Sequence, residues 1–187
     1  MLNKNNFLIA EIVNIDRGGA IAGLHITKKY TEATDTYCLL RVSANEADIE
    51  ECPINFGKPI EPDNIIIRKS DCKDIAGKFK RVTLPILENA IPHDEDEDII
   101  KFTTTDTDKT DTVIAQKIEG EYPQIDNIIY DKINGIKFNV PLFKKMINTL
   151  SKMTGEIELQ FGEEKLLFRG ETVSGQEIKG MLMGRIK

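Results

Sequence analysis

The stretch Asn64-Ile65-Ile66-Ile67-Arg68-Lys69-Ser70-Asp71-Cys72-Lys73-Asp74-Ile75-Ala76-Gly77-Lys78-Phe79-Lys80-Arg81 carries the plan on which the chain is built. Its β-branched run 65–67 predicts a buried strand. Cys72, Ile75, Ala76 and Phe79 then recur at i, i+3, i+4 and i+7, the stripe of an amphipathic helix, with Ser70 read as its N-cap and Asp71 in its first turn. At about 100° per residue, Lys73, Lys78, Lys80 and Arg81 fall on the opposite side together with Asp74. A strand therefore enters a helix whose outer face is basic.

The same plan returns further on. Ile136-Lys137-Phe138-Asn139-Val140 alternates as a strand, Asn139 or the turn after it can cap a helix, and Pro141 suits a first turn because its missing N–H is not needed there. Phe143, Met146, Ile147 and Leu150 form the apolar stripe; Lys144, Asn148 and Lys152 follow on the polar side, flanked by Lys145, and Gly155 ends the helix. Strands are expected after each helix: 84–90, 99–105 and 112–118 after the first, 156–161, 165–169 and 178–186 after the second. A strand-helix-three-strand unit thus occurs twice, ~70 residues apart. The expected class is α+β, with helices on one face of antiparallel sheets. Residues 1–60 form an N-terminal β-rich segment and a candidate degenerate copy, in which 7–15 reads as a strand or short helix and 21–27 and 36–44 as strands. The remainder, 61–187, is expected to hold two repeats, 61–130 and 131–187.

Composition narrows the function. The 187 residues are 40% apolar and 30% charged, ordinary for a globular chain. No apolar run approaches the ~20 residues of a bilayer span, and the opening Met1-Leu2-Asn3-Lys4-Asn5-Asn6 lacks the order of a signal peptide, so a cytoplasmic protein away from membranes is expected. Cys38, Cys52 and Cys72 have no CxxC spacing and are read as reduced packing residues. With only His25 and His93, histidine-based acid/base catalysis and polyhistidine metal sites lose ground, and no enzyme activity, metal or cofactor is expected.

The net charge of −6 conceals a segregation. Residues 64–81 carry +4 and residues 137–152, with Lys137, Lys144, Lys145 and Lys152 and no acid, another +4, so the rest of the chain carries −14. Positive charge is concentrated on the two helices, the footprint of a surface for nucleic acid on an acidic protein. Other clusters have plainer readings. Asp94-Glu95-Asp96-Glu97-Asp98 lacks the glycine and spacing of an EF-hand loop and reads as a solvated hairpin tip. Asp106, Asp108 and Asp111, among threonines, read as a strand reversal rather than a two-metal site. His25 reads as structural.

Several short segments resemble the bacterial sliding clamp, the β subunit of replicative DNA polymerase. Residues 64–71 are similar to its strand-to-helix entry. Leu84-Pro85-Ile86-Leu87 is similar to its "LPIL" stretch and Phe102-Thr103-Thr104-Thr105-Asp106 to its "TATD" strand end. Ile118-Glu119-Gly120-Glu121-Tyr122-Pro123 is similar to its "DGEYP" connection, with Tyr122 and Pro123 as a strap between units. Phe138-Asn139-Val140-Pro141-Leu142 and Leu182-Met183-Gly184-Arg185 are similar to "FNPKYL" and "MPMR" of its last domain, with Gly184 where the family has proline. The resemblance implies the DNA-clamp fold, at half the length of a typical clamp chain, and a processivity factor in DNA replication that encircles duplex DNA without sequence preference. It also implies a homo-oligomer that tethers a polymerase. Lys73, Lys78, Lys80, Arg81, Lys144, Lys145 and Lys152 are the DNA-facing candidates. Met181, Leu182, Met183 and Arg185 are the candidates for a pocket that receives partner peptides, where flexible methionines suit several sequences. Two rival readings stay open: a clamp-fold adaptor or inhibitor that closes no ring, and an acidic mimic of DNA.

Overall fold

The computed structural model describes residues 1–44, 59–80, 82, 84–93, 96–126, 137–162, 165–172 and 176–183. They divide between two units, Met1–Gln124 and Ile125–Lys187.

The first unit holds two repeats of one pattern. In the first, β1 (Leu2–Asn3) leads into α1 (Lys4–Leu8), which continues as a 3-10 turn, Ile9–Ile12; β2 (Gly23–Ile26), β3 (Tyr30–Thr34) and β4 (Leu39–Ser43) follow. In the second, β5 (Ile65–Arg68) leads into α2 (Lys69–Lys78), followed by β6 (Asn89–His93), β7 (Ile99–Thr105) and β8 (Thr110–Gln116). Each four-stranded antiparallel sheet takes its leading strand from the other repeat: the orders are β1-β6-β7-β8 and β4-β3-β2-β5. The sheet β4-β3-β2-β5 therefore runs across residue 60, drawing strands from both sides of it.

The leading strands are short because each needs only to seal one edge and deliver the chain into its helix. Leu2 and Ile67 are buried opposite Ala90 and Leu24. α1 and α2 pack against each other, α2 also along β8 and α1 along β3. Phe7 of α1 meets Phe102 of β7 edge-on, ring centroids 5.4 Å apart, and Phe79 beyond α2 at 6.0 Å. Around them Leu24, Ile26, Ile67, Ile75 and Ile100 are buried. The α2 stripe is as expected, with Cys72, Ile75 and Ala76 buried and Phe79 packed partly against the core.

Several local expectations are corrected. α2 begins two residues earlier than a Ser70 cap allows: Arg68 is the N-cap and makes no side-chain cap bond, and Ser70 Oγ donates to Asp71 Oδ1 inside the helix at 2.9 Å. Residues 85–88 form a 3-10 turn rather than strand, since a proline fixes φ and lacks a ladder donor; the strand starts at Asn89. Of the two readings of 7–15, the helical one holds for residues 7–12, the end of α1 and its 3-10 extension, while Val13 and Asn14 belong to no helix. β3 is a strand that the apolar pattern does not predict, because it carries a glutamate in its middle.

The second unit holds α3 (Val140–Leu150) and one antiparallel sheet, β11-β10-β9, from β9 (Glu158–Phe161), β10 (Lys165–Glu171) and β11 (Glu177–Met183). Asn139 caps α3 by accepting from Leu142 N at 3.1 Å, with Pro141 in the first turn, as expected. Ile136 lies outside the described residues, and residues 137–139 join no ladder among them, so the strand expected before this helix is absent there. On β11, Gly180 answers Phe168 across the strands, where a β-carbon would run into the Phe168 ring. The molecule is thus α+β, with antiparallel sheets and few helices.

Candidate nucleic-acid interface

The two basic helices differ in how their cations are held. On the α2 side, Lys73 is exposed on the helix, Lys78 ends it, and Lys80 lies two residues beyond. Lys80 Nζ reaches Asp106 Oδ2 at 3.1 Å and Asp111 Oδ2 at 3.6 Å, and Lys78 Nζ lies 3.8 Å from Asp111 Oδ1. The β7–β8 turn therefore neutralises part of this cluster. Asp106 is itself fixed by the backbone: its Oδ1 accepts from Lys109 N at 2.7 Å, which, with the Lys80 hydrogen bond second, holds its carboxyl below the usual range. Asp71 Oδ2 accepts from Gln116 N at 2.7 Å and pins α2 to the end of β8. Lys73 makes no ion pair among the described residues, and Arg81 lies outside them.

On α3 the cations meet no acid among the described residues. Lys144, Lys145 and Lys152 are exposed and make no ion pair among the described residues. With Pro141, Asn148 and Thr149 they border a shallow hollow of about 440 Å³ on the polar side of the helix. Its apolar stripe is turned away: Leu150 is buried and Phe143, Met146 and Ile147 half-buried. Lys152, just past the C-terminal end, also complements the negative pole of the helix.

One feature of the helical side has no local signature in the sequence. Between α1, its 3-10 extension and α2 runs a groove of about 960 Å³, floored by Phe7, Leu8, Ala10 and Ala76 and rimmed by Lys4, Arg68, Lys69 and Lys73. It exists because α1 is only five residues long, beside the ten of α2. Lys69 is occupied there, donating to Val13 O at 2.6 Å and Glu11 O at 3.0 Å, which satisfies carbonyls at the end of the 3-10 turn.

The methionine-bearing segment falls on β11. Alternation along this strand separates its members: Met181 and Met183 are exposed, 54% and 53%, and point to one face, whereas Leu182 is half-buried on the other. Arg185 lies outside the described residues.

The remaining polar clusters have structural roles. His25 is buried; its Nδ1 lies 2.8 Å from Glu32 Oε1 and its Nε2 3.0 Å from Asn64 Oδ1. Glu32, 2% exposed, also accepts from Arg41 Nε at 2.8 Å, and the Arg41 guanidinium lies over the Tyr30 ring. Tyr122 stacks on His25, centroids 4.5 Å apart, and donates to Glu32 O at 3.4 Å; burial first, and the Glu32 charge second, push its phenol well up. Tyr122 thus fastens the end of the first unit to its own sheet. Burial likewise pushes the Cys72 thiol up, in keeping with a packing role; Cys38 is exposed and so is no packing residue, and Cys52 lies outside the described residues. Asp96 Oδ1 accepts from Asp98 N and Ile99 N, closing the turn before β7; Asp94 and Glu95 lie outside the described residues. No described helix is long and apolar enough to cross a membrane.

No family model and no curated protein matches the chain. Solved structures do. The chain is similar to the β sliding clamp of C. crescentus, with 12% identity and a TM-score of 0.66 over 97% of this chain and 49% of that one. It is similar to the Helicobacter pylori β clamp bound to a DNA ligase peptide, with 16% identity and a TM-score of 0.64 over 98% and 48%. It is similar also to DNA polymerase III subunit beta of Borrelia burgdorferi, with 13% identity and a TM-score of 0.66 over 96% and 45%. The chain has the fold of bacterial sliding clamps, reduced and divergent, and spans about half the length of the clamps it matches.

Proposed function

We propose that the protein is a processivity factor of the sliding-clamp kind, a non-enzymatic cytoplasmic protein whose copies surround or track duplex DNA and hold a polymerase beside it. What supports this reading is the run of cations along the helices of an otherwise acidic chain with a clamp fold: Lys73, Lys78 and Lys80 on and just past α2, and Lys144, Lys145 and Lys152 on and just past α3, with Arg81, which lies outside the described residues, proposed beside them. Lysines that meet phosphates without reading bases bind weakly and independently of sequence, which permits sliding. Tethering then acts through effective concentration, since a held partner rebinds faster than it diffuses away. Met181, Leu182, Met183 and Arg185 form the proposed peptide-receiving end. Met181 and Met183 are the accessible part, and Leu182 supports them from the other side of the strand.

Topology tests the proposal. On nicked circular duplex the protein should stay bound through gel filtration and be lost when the circle is cut, because only a linked ring slides off a free end. Equal retention on both forms would sink the ring. Binding of replication peptides without DNA would then favour the adaptor, which the partial neutralisation of Lys78 and Lys80 also suits. The DNA-mimic reading requires activity to depend on the acidic run 94–98 and not on the helical lysines.

A further inference from the structure

In the first unit neither repeat is complete alone. β1 seals the outer edge of β6 and β5 seals that of β2, always the leading strand of one repeat on the first strand of the other's three-stranded run. The register is the same in both cases. The residue just before the helix pairs with the first residue of the run, Asn3 with Asn89 and Arg68 with Gly23. The residue before that is apolar, Leu2 opposite Ala90 and Ile67 opposite Leu24, all four 2% exposed or less.

Among the described residues the second unit holds one repeat, with both halves of this arrangement unused. β9 is the first strand of its run; it pairs only with β10 among the described residues, and all four of its residues are exposed. Leu159 and Phe161, 40% and 69% exposed, share a face with Leu166, Phe168 and Leu182, as their registers on β10 and β11 require. Residues 137–139 stand where β1 and β5 stand before their helices. Asn139 caps α3 by its side chain as Asn3 caps α1, and Phe138 occupies the position of Leu2 and Ile67. Among the described residues an open, apolar sheet edge and a segment placed to pair with it thus lie in one repeat. They cannot satisfy each other there, since in the first unit each leading strand seals the opposite repeat's run.

We infer that two copies of this chain pair through their second units. Residues 137–139 of each copy extend the other's sheet at β9, with Asn139 opposite Glu158, Phe138 opposite Leu159 and Lys137 opposite Gln160. The contact is isologous: what one copy donates it also receives, so the assembly grows in multiples of two. It abolishes two exposed sheet edges and covers Leu159 and Phe161, which otherwise form an aggregation-prone edge. The inference deepens the multi-copy clamp reading and rests on it for the need of more than one copy; it makes no use of DNA.

The decisive experiment mixes two variants in a Cys38→Ser, Cys52→Ser background, one carrying Phe138→Cys and the other Leu159→Cys, under mild oxidation. A cross-linked species of twice the chain mass should form in the mixture and not in either variant alone. Phe161→Asp, at an exposed position, should keep the circular dichroism of the parent yet at least halve the mass measured by light scattering. Absence of the mixed cross-link, a single-chain mass at about 100 μM, or an odd number of copies overturns the inference. A cross-linked pair that fails to stay on circular DNA would sink the clamp reading and leave this one standing.

Discussion

Gly23 opens β2 directly against β5, where a β-carbon would lie 2.6 Å from both Ile66 Cγ2 and Ile67 O and 2.7 Å from Ile118 Cδ1. Backbone cannot yield as a flexible side chain can, so Gly23→Ala should destabilise the first unit by about 1–3 kcal/mol in chemical denaturation. Glu32 is a carboxylate buried between His25 and Arg41. Arg41→Ala leaves that charge with one partner fewer and should cost about 3 kcal/mol, read from the same denaturation curves. Asp106 makes the pH prediction. Its carboxyl is held below the ordinary value, so its contribution to the β7–β8 turn is present above the unfolded-state pKa and lost as pH falls through the lower folded one. NMR titration should find its midpoint below that of a free aspartate, and still below it in Lys80→Ala, because the Lys109 N–H is the larger cause. Only the first of these roles comes from far along the chain: Gly23 is crowded by Ile66, Ile67 and Ile118, whereas Glu32 meets His25 and Arg41 across neighbouring strands and Asp106 is held by Lys109 within its own turn.

Each of the two helices carries a basic face of its own, but the effective charge differs. Lys144, Lys145 and Lys152 on and just past α3 make no ion pair among the described residues, whereas the α2 side shares Lys78 and Lys80 with Asp106 and Asp111. Replacing Lys144, Lys145 and Lys152 with Glu should therefore weaken DNA binding, and lower the slope of log affinity against log salt by roughly 0.9 for each phosphate that is no longer neutralised. Asp106→Asn with Asp111→Asn should act in the opposite sense, strengthening binding and steepening that slope, as measured by fluorescence anisotropy over a salt series. Unchanged slopes in both variants would remove the helices from the DNA-facing surface. The lysines, the stripes of both helices, the Asn139 cap and the hairpin tips were legible in sequence, since each depends on residues within a turn or two. The Lys80–Asp106 pairing was not, because it joins a helix end to a hairpin tip brought beside it only by the fold.

For the molecule as a whole, completeness differs between the two units. The first closes both its sheets by mutual exchange of leading strands, so a chain ended after Gln124 should unfold in one cooperative thermal transition followed by circular dichroism. A broad, non-cooperative melt would count against self-sufficiency of that unit. By itself, the sequence determined the helical stripes, the segregation of charge and the recurrence of a strand-helix-three-strand pattern, all of which follow from spacings of two to four residues. Only the tertiary structure decided that the first sixty residues supply a working repeat, and that leading strands cross between repeats. It alone revealed that acids silence part of one basic face and that β9 pairs on one edge only among the described residues. Those outcomes depend on which distant edges meet, and edge pairing is set by backbone hydrogen bonds that no side-chain periodicity records.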